Sequence, residues 1–177
     1  MGSPLRIASS RSQSLPLEPL TNTFGFDSRC FVCDPDNSGG LRQRFLLDRE
    51  RGRVVAEFTP TADHSGAPNY AHGGATMAVL DDAMAWAIIA TKERFGLSRH
   101  VETDFLRPVM IGKTYNVEAW VESFEDRSLE ARAELRSASG KLCVTSKGQY
   151  MVMTLAEAQQ AIGAGAGGTS SYTERLR

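Results

Sequence analysis

Residues 71–90 read AHGGATMAVLDDAMAWAIIA, and this stretch decides the fold. After Gly74 it holds no proline and no further glycine, and alanine and long aliphatic side chains dominate. That composition favours a helix of about five turns. The expected helix runs from Gly74 to about Phe95, with Gly96 suited to its C-terminus. Its apolar residues do not gather on one stripe, so the helix is expected to be buried on nearly every side. Two adjacent carboxylates, Asp81 and Asp82, interrupt it near the middle. A charged carboxylate in apolar surroundings costs several kcal/mol unless it is hydrogen-bonded or its pKa rises. The pair therefore asks for a chemical reason.

Strand signals lie on both sides of this helix. Leu41–Leu47 and Arg53–Thr59 read as two strands joined by a turn at Glu50-Arg51-Gly52, and residues 60–70 read as a loop. Downstream, Arg99–Leu106 is strand-like and stops at Arg107-Pro108. Thr114–Phe124 and Ser128–Ser137 alternate, the second with Leu129, Ala131, Ala133 and Leu135 set against Glu130, Arg132, Glu134 and Arg136. Such alternation marks a sheet with one face on a core and one in water. Leu142–Leu155 is a last long strand, and the Gly/Ala/Ser-rich tail after Ala156 reads as partly helical, then flexible. Strands around one helix, without β-α alternation, give the α+β class: an antiparallel sheet wrapped around one long central helix. A single sheet covers one side of that helix, so a homodimer at least is expected.

The chain of 177 residues carries a net charge of -1, with 41% hydrophobic and 23% charged residues. One domain with a real core fits these values. The charge balance gives no electrostatic reason to expect nucleic acid or a membrane surface as partner. The longest unbroken apolar run, Ala83–Ala90, is too short for a membrane span. Cys30 and Cys33 form a C-x-x-C, but no second ligand pair follows at zinc spacing, and a turn at residues 34–37 replaces the helix of a redox motif. They read as packing residues of a reduced cytoplasmic protein, and no metal is expected. Residues 1–22 form an expected flexible arm whose Arg6, Arg11 and serines faintly resemble an organellar transit peptide. The domain then spans 23–156 and the tail 157–177.

The helix start carries the second chemical signal. Gly73 and Gly74 lie where the first backbone N–H groups lack intrahelical acceptors, at the positive end of the helix dipole. Such donors can hold an anion or a polarised carbonyl, and glycine admits close approach. A tight turn capped by His72 is the plainer alternative. Successive helix residues point about 100° apart, so Asp81 and Asp82 face different surroundings. Asp81, seven residues after Gly74, shares its face, whereas Asp82 reads as a structural or interface residue.

The segments AHGGATMAVLDDAMAWA and VETDFLRPVMIGKTYNVEAWV, with CFVCDPDNSGGLRQRF upstream, resemble the hotdog-fold acyl-CoA thioesterases of the PaaI and THEM groups. The likeness covers roughly residues 29–153. It implies that the Gly73 N–H polarises a thioester carbonyl. Asp81 would be the catalytic carboxylate, as general base or as nucleophile through an anhydride. His72 would orient the loop or substrate. Ser98 would help to place the attacking water across the dimer interface, and Asn69 and Gly74 would contact substrate. Many relatives carry Asn or Gln where this chain has Gly66, with His64, Ser65 and Asn69 as nearby substitutes. Arg127 and Ser128, and also Lys147, would meet coenzyme A.

The resemblance thus implies a cytoplasmic homodimer, or homotetramer, that hydrolyses an acyl-CoA or acyl carrier protein thioester. No cofactor is needed beyond the coenzyme A of the substrate. Met77, Met84, Trp86 and Phe105 could line an acyl pocket or be plain core. Two alternatives stand beside this reading. One is a hotdog dehydratase or hydratase using a His–acid pair, and the other is a non-catalytic acyl-CoA-binding module. The chain has no G-x-S-x-G nucleophile elbow.

Overall fold

The computed structural model describes residues 16–21 and 29–162. The transit-like features of the arm and the end of the tail lie outside the described residues. Nine strands and two helices follow in order. They are β1 (Glu18–Leu20), β2 (Phe45–Asp48), β3 (Arg53–Phe58), β4 (Ser65–Ala67), β5 (Tyr70–Ala71), α1 (Gly73–Lys92), β6 (Phe95–Phe105), β7 (Tyr115–Glu125), β8 (Ser128–Ser137), β9 (Leu142–Met153) and α2 (Leu155–Ile162). Seven strands make one antiparallel sheet in the order β1-β2-β3-β7-β8-β9-β6, and β4 and β5 form a separate small ribbon. The sheet wraps α1, which packs on β2, β3, β6, β7, β8 and β9. This is the expected α+β arrangement.

The alternation in β8 works as the sequence predicts. Leu129, Ala131, Ala133 and Leu135 are buried beneath the sheet. Their outward neighbours pair across strands, Arg132 with Glu122 at 2.7 Å and Glu130 with Lys147 at 3.0 Å. These exposed pairs add little stability, and the inward row anchors the sheet on α1. Eight residues of α1 are buried, among them Val79, Leu80, Met84, Trp86 and Ile88. By length and composition this helix would suffice to cross a membrane, which the count of unbroken apolar residues missed. In this fold it is the core helix.

Three expectations need correction. Gly96 does not end the helix: Glu93 does, in the left-handed conformation (φ 54°, ψ 41°), with its N–H donating to the Ile89 carbonyl at 3.1 Å. Gly96 instead lies in β6, where a Cβ would come within 2.8 Å of Ile88 Cδ1, so its absence lets the strand close on the helix. The arm is not wholly free, because Glu18–Leu20 pairs with Phe45–Leu47 at the sheet edge. The first strand is shorter than expected. Residues 41–43 bond back to the preceding loop instead, with Leu41 N–H on the Phe31 carbonyl and Gln43 N–H on the Val32 carbonyl, both at 2.7 Å.

The ring of Tyr150 lies against two strand glycines. A Cβ on Gly148 would meet its Cε2 at 2.5 Å, and one on Gly96 would meet its Cδ1 at 3.1 Å. Gly148→Ala must therefore displace a fully buried ring. Overpacking of this kind costs about 1–3 kcal/mol. Urea denaturation should show a lower midpoint with an unchanged slope; an unchanged midpoint would contradict the packing.

Candidate active site

The ribbon β4–β5 feeds the chain into α1 through His72, which caps the helix. Its Nδ1 accepts the Gly74 N–H at 2.9 Å, and its carbonyl accepts the Thr76 N–H at 3.1 Å. An accepting Nδ1 puts the imidazole proton on Nε2, so His72 serves as a neutral cap that orients the helix mouth. The same bond occupies the Gly74 amide. The Gly73 N–H is left without an acceptor among the described residues. It lines an open cleft of about 390 Å³ bordered by Tyr70, Phe105, Arg107 and Val109.

Gly66 is bare for a steric reason. A Cβ there would stand 2.8 Å from His72 Cα, so no amide side chain fits without moving the helix entrance. Its neighbours have local work. His64 Nδ1 accepts the Thr61 N–H at 3.0 Å, and Ser65 Oγ donates to the Ala67 carbonyl at 3.0 Å. Asn69 takes a left-handed turn conformation (φ 69°), and its carbonyl accepts the Ile111 N–H at 3.0 Å. No hydrogen bond among the described residues brings the Asn69 side chain to Gly73.

Two turns further along, Asp81 meets the β6–β9 pair. Tyr150 O–H donates to Asp81 Oδ1 at 2.7 Å, and Ser98 O–H donates to the same oxygen at 2.9 Å. Ser98 and Tyr150 are direct cross-strand partners, and a bulge follows Ser98 in β6. Ser98 thus reaches the carboxylate of its own chain. Burial, and then the adjacent Asp81 charge, push the Tyr150 phenol above the ordinary tyrosine range, so it remains a donor. Both hydroxyls land on Oδ1, and no donor among the described residues reaches Oδ2.

Asp82 faces a different side of α1, about 100° round the helix from Asp81. Cys30 Sγ lies 3.6 Å from its Oδ1, and its Oδ2 is buried without a partner. Burial foremost, with the charge of Cys30 second, raises its pKa to about 7. The Cys30 thiol is lowered to about 5, chiefly by its hydrogen bond with Cys33 and then by the N–H groups of Cys33 and Val32. Cys33 is pushed up by the same bond and by burial.

Gly73 and Asp81 share a helix but not a site within one chain. Eight residues separate them, which is about 12 Å of helix rise. The Gly73 N–H also points out of the helix end, away from Asp81. A carbonyl held there would lie roughly 10 Å beyond the reach of its own chain's carboxylate, against about 3–3.5 Å for reaction. A shared helix face therefore does not bring the two together within one chain.

The remaining candidates divide. Arg127 pairs with Glu157 of α2, Ser128 is exposed at the start of β8, and Lys147 pairs with Glu130. None of the three bonds to Gly73 or Asp81. Met84 and Trp86 are core, Met77 is exposed on α1, and Phe105 lines the cleft. Sequence reasoning missed Tyr150 as a donor, and it quoted Arg107 only as a strand end. Arg107 was findable, since a cation just before a strand-breaking proline lies on a loop.

A family model described as the thioesterase superfamily matches residues 68–144. An uncharacterised protein of Schizosaccharomyces pombe is 23% identical over 112 residues, 60% of this chain and 64% of its own length. The chain thus spans just under two thirds of that curated relative. Zebrafish thioesterase superfamily member 2 has a similar structure, with a TM-score of 0.60 and 22% identity over 66% of this chain and 88% of that one. So has a hypothetical thioesterase of Streptococcus pneumoniae with coenzyme A, with a TM-score of 0.56 and 13% identity over 58% and 82%.

The Tyr150–Asp81 bond is testable in isolation. A double-mutant cycle of Tyr150→Phe and Asp81→Asn should give a coupling of about 0.5–3 kcal/mol in urea unfolding. Additive effects would remove the bond from the account.

Proposed function

We propose that this chain, a hotdog-fold protein of the thioesterase superfamily, hydrolyses an acyl-CoA or acyl carrier protein thioester to a free acid and a thiol. The observation that carries the reading is the state of Asp81: Oδ1 is fixed by Tyr150 and Ser98, and Oδ2 is free to act. The coenzyme A in the Streptococcus pneumoniae relative supports the substrate class.

The site needs two copies. Gly74, Met77, Ala78, Asp81 and Ala85 form one incompletely buried stripe along α1. Beside it, β6 is an edge strand, with β9 on one side and no strand on the other among the described residues. Antiparallel pairing of two such helices would set the Gly73 N–H of one protomer opposite Asp81 of its partner. In this homodimer the thioester carbonyl accepts from the Gly73 N–H, which stabilises the developing oxyanion. Asp81 Oδ2 takes a proton from water as it adds to the carbonyl carbon, or adds itself to give an anhydride that water then cleaves. Either way the C–S bond breaks and the thiolate leaves, taking up a proton.

His72 keeps the helix mouth in shape, and the proposed substrate contacts at Asn69 and Gly74 would be made through the surrounding loop. Arg127 would have to exchange Glu157 for a coenzyme phosphate, with Ser128 beside it. The dehydratase alternative draws no support from His72, whose Nδ1 is engaged as a cap.

Free-thiol release over an acyl-CoA panel should reveal turnover, and Asp81→Asn should lower it by about 10²–10⁴-fold. Wild-type turnover by Asp81→Asn would sink the mechanism. Tight acyl-CoA binding with no thiol from any substrate would favour a binding module instead.

A further inference from the structure

Cys30 and Cys33 lie in the loop of residues 29–43, whose Val32 is buried in the core. Asn37 Nδ2 donates to the carbonyls of Arg29 and Cys30 at 3.1 and 3.3 Å, which holds the loop in a closed turn. Within it, the N–H groups of Val32 and Cys33 both donate to Cys30 Sγ at 3.3 Å. Two amides aimed at one sulfur favour a thiolate, and they are the kind of outer contact that steadies a metal-bound thiolate. The Trp86 side chain hydrogen-bonds Cys33 from α1.

Into this turn α1 sends Asp82. The sulfurs of Cys30 and Cys33 and a carboxylate oxygen of Asp82 all lie within 4.8 Å of one another. The Cys30 Sγ to Asp82 Oδ1 distance is 3.6 Å. A tetrahedral zinc ion with Zn–S of about 2.3 Å and Zn–O of about 2.1 Å has an S···O edge of about 3.6 Å. Asp82 Oδ2 adds an independent sign, because a buried carboxylate oxygen without a partner is rare and costly.

We infer that Cys30, Cys33 and Asp82 form a binding site for a soft divalent metal ion, Zn²⁺ by the chemistry of the donors. Two sulfurs and one carboxylate disfavour Mg²⁺ and Ca²⁺, which take oxygen ligands. Three protein ligands leave a fourth corner for water, which the half-buried cysteines leave within reach. A disulfide between the same cysteines would leave the Asp82 carboxylate with no partner, whereas a cation supplies one. The ion would clip the loop to the middle of α1, one residue from Asp81. The spacing of the cysteines alone hides this site, since its third ligand arrives 49 residues after Cys33.

The test uses the full chain, purified and reduced, with no activity assay, so it stands or falls apart from the thioesterase reading. Elemental analysis after Zn²⁺ loading and removal of loose metal should find about one ion per chain. Co²⁺ loading should give thiolate charge-transfer bands and visible bands of tetrahedral cobalt. Asp82→Asn, with its fold checked by circular dichroism, should weaken Zn²⁺ by more than about 100-fold, beyond what loss of an outer contact costs. Three results would overturn the site: no stoichiometric metal on the reduced wild type, wild-type affinity in Asp82→Asn, or octahedral cobalt without thiolate bands.

Discussion

Two adjacent carboxylates on an apolar helix are the constraint on which the rest of this structure depends. The sheet wraps α1 closely, so both Asp81 and Asp82 are partly withdrawn from water. Each must find polar partners in the protein, and the helix step sends them to different places. Asp81 meets two hydroxyls from neighbouring strands, and Asp82 meets a cysteine turn from the N-terminal loop. Strand glycines follow from the first contact. Gly96 and Gly148 leave room for the Tyr150 ring that carries the hydroxyl. The loop geometry follows from the second, since Asn37 and the backbone amides shape the turn that presents Cys30.

Helix polarity sets the next level. The free amide of Gly73 points outward from the end of α1, and Asp81 lies two turns behind it. Within one chain the Gly73 N–H and the Asp81 carboxylate therefore cannot meet at one small group. Half-buried residues along α1 and the open edge of β6 supply a surface on which a second copy would join them. Under the proposed homodimer, binding, polarisation and attack would be divided between protomers.

Much of the fold was legible in the sequence because it is written in local periodicity. Strand β8 was bounded to the residue by its alternation, whereas composition placed α1 but ran its end about three residues too far. The errors came where tertiary contact overrides local preference. Glu93 took the left-handed position that glycine usually fills, while Gly96 was needed in β6 for clearance from Ile88. In the site, the helix start and the carboxylate pair singled out Gly73 and Asp81, and their roles, with that of His72, came from the resemblance. Tyr150 was not singled out, because its partner is 69 residues away and its own strand reads as ordinary alternation. Spacing along the chain likewise did not connect the cysteine turn with Asp82, its carboxylate neighbour in the fold.

The central claim, that the site is shared between protomers, is tested most directly by subunit mixing. Gly73→Pro removes one donor with little disturbance, since proline suits the first helical position and His72 is already extended (ψ 133°). Asp81→Asn removes the carboxylate. Each homodimer alone should be nearly inactive, and a dissociated and reassembled equimolar mixture should recover about a quarter of wild-type turnover, from hybrids with one intact site. Mixed dimers that form but recover nothing would contradict the account.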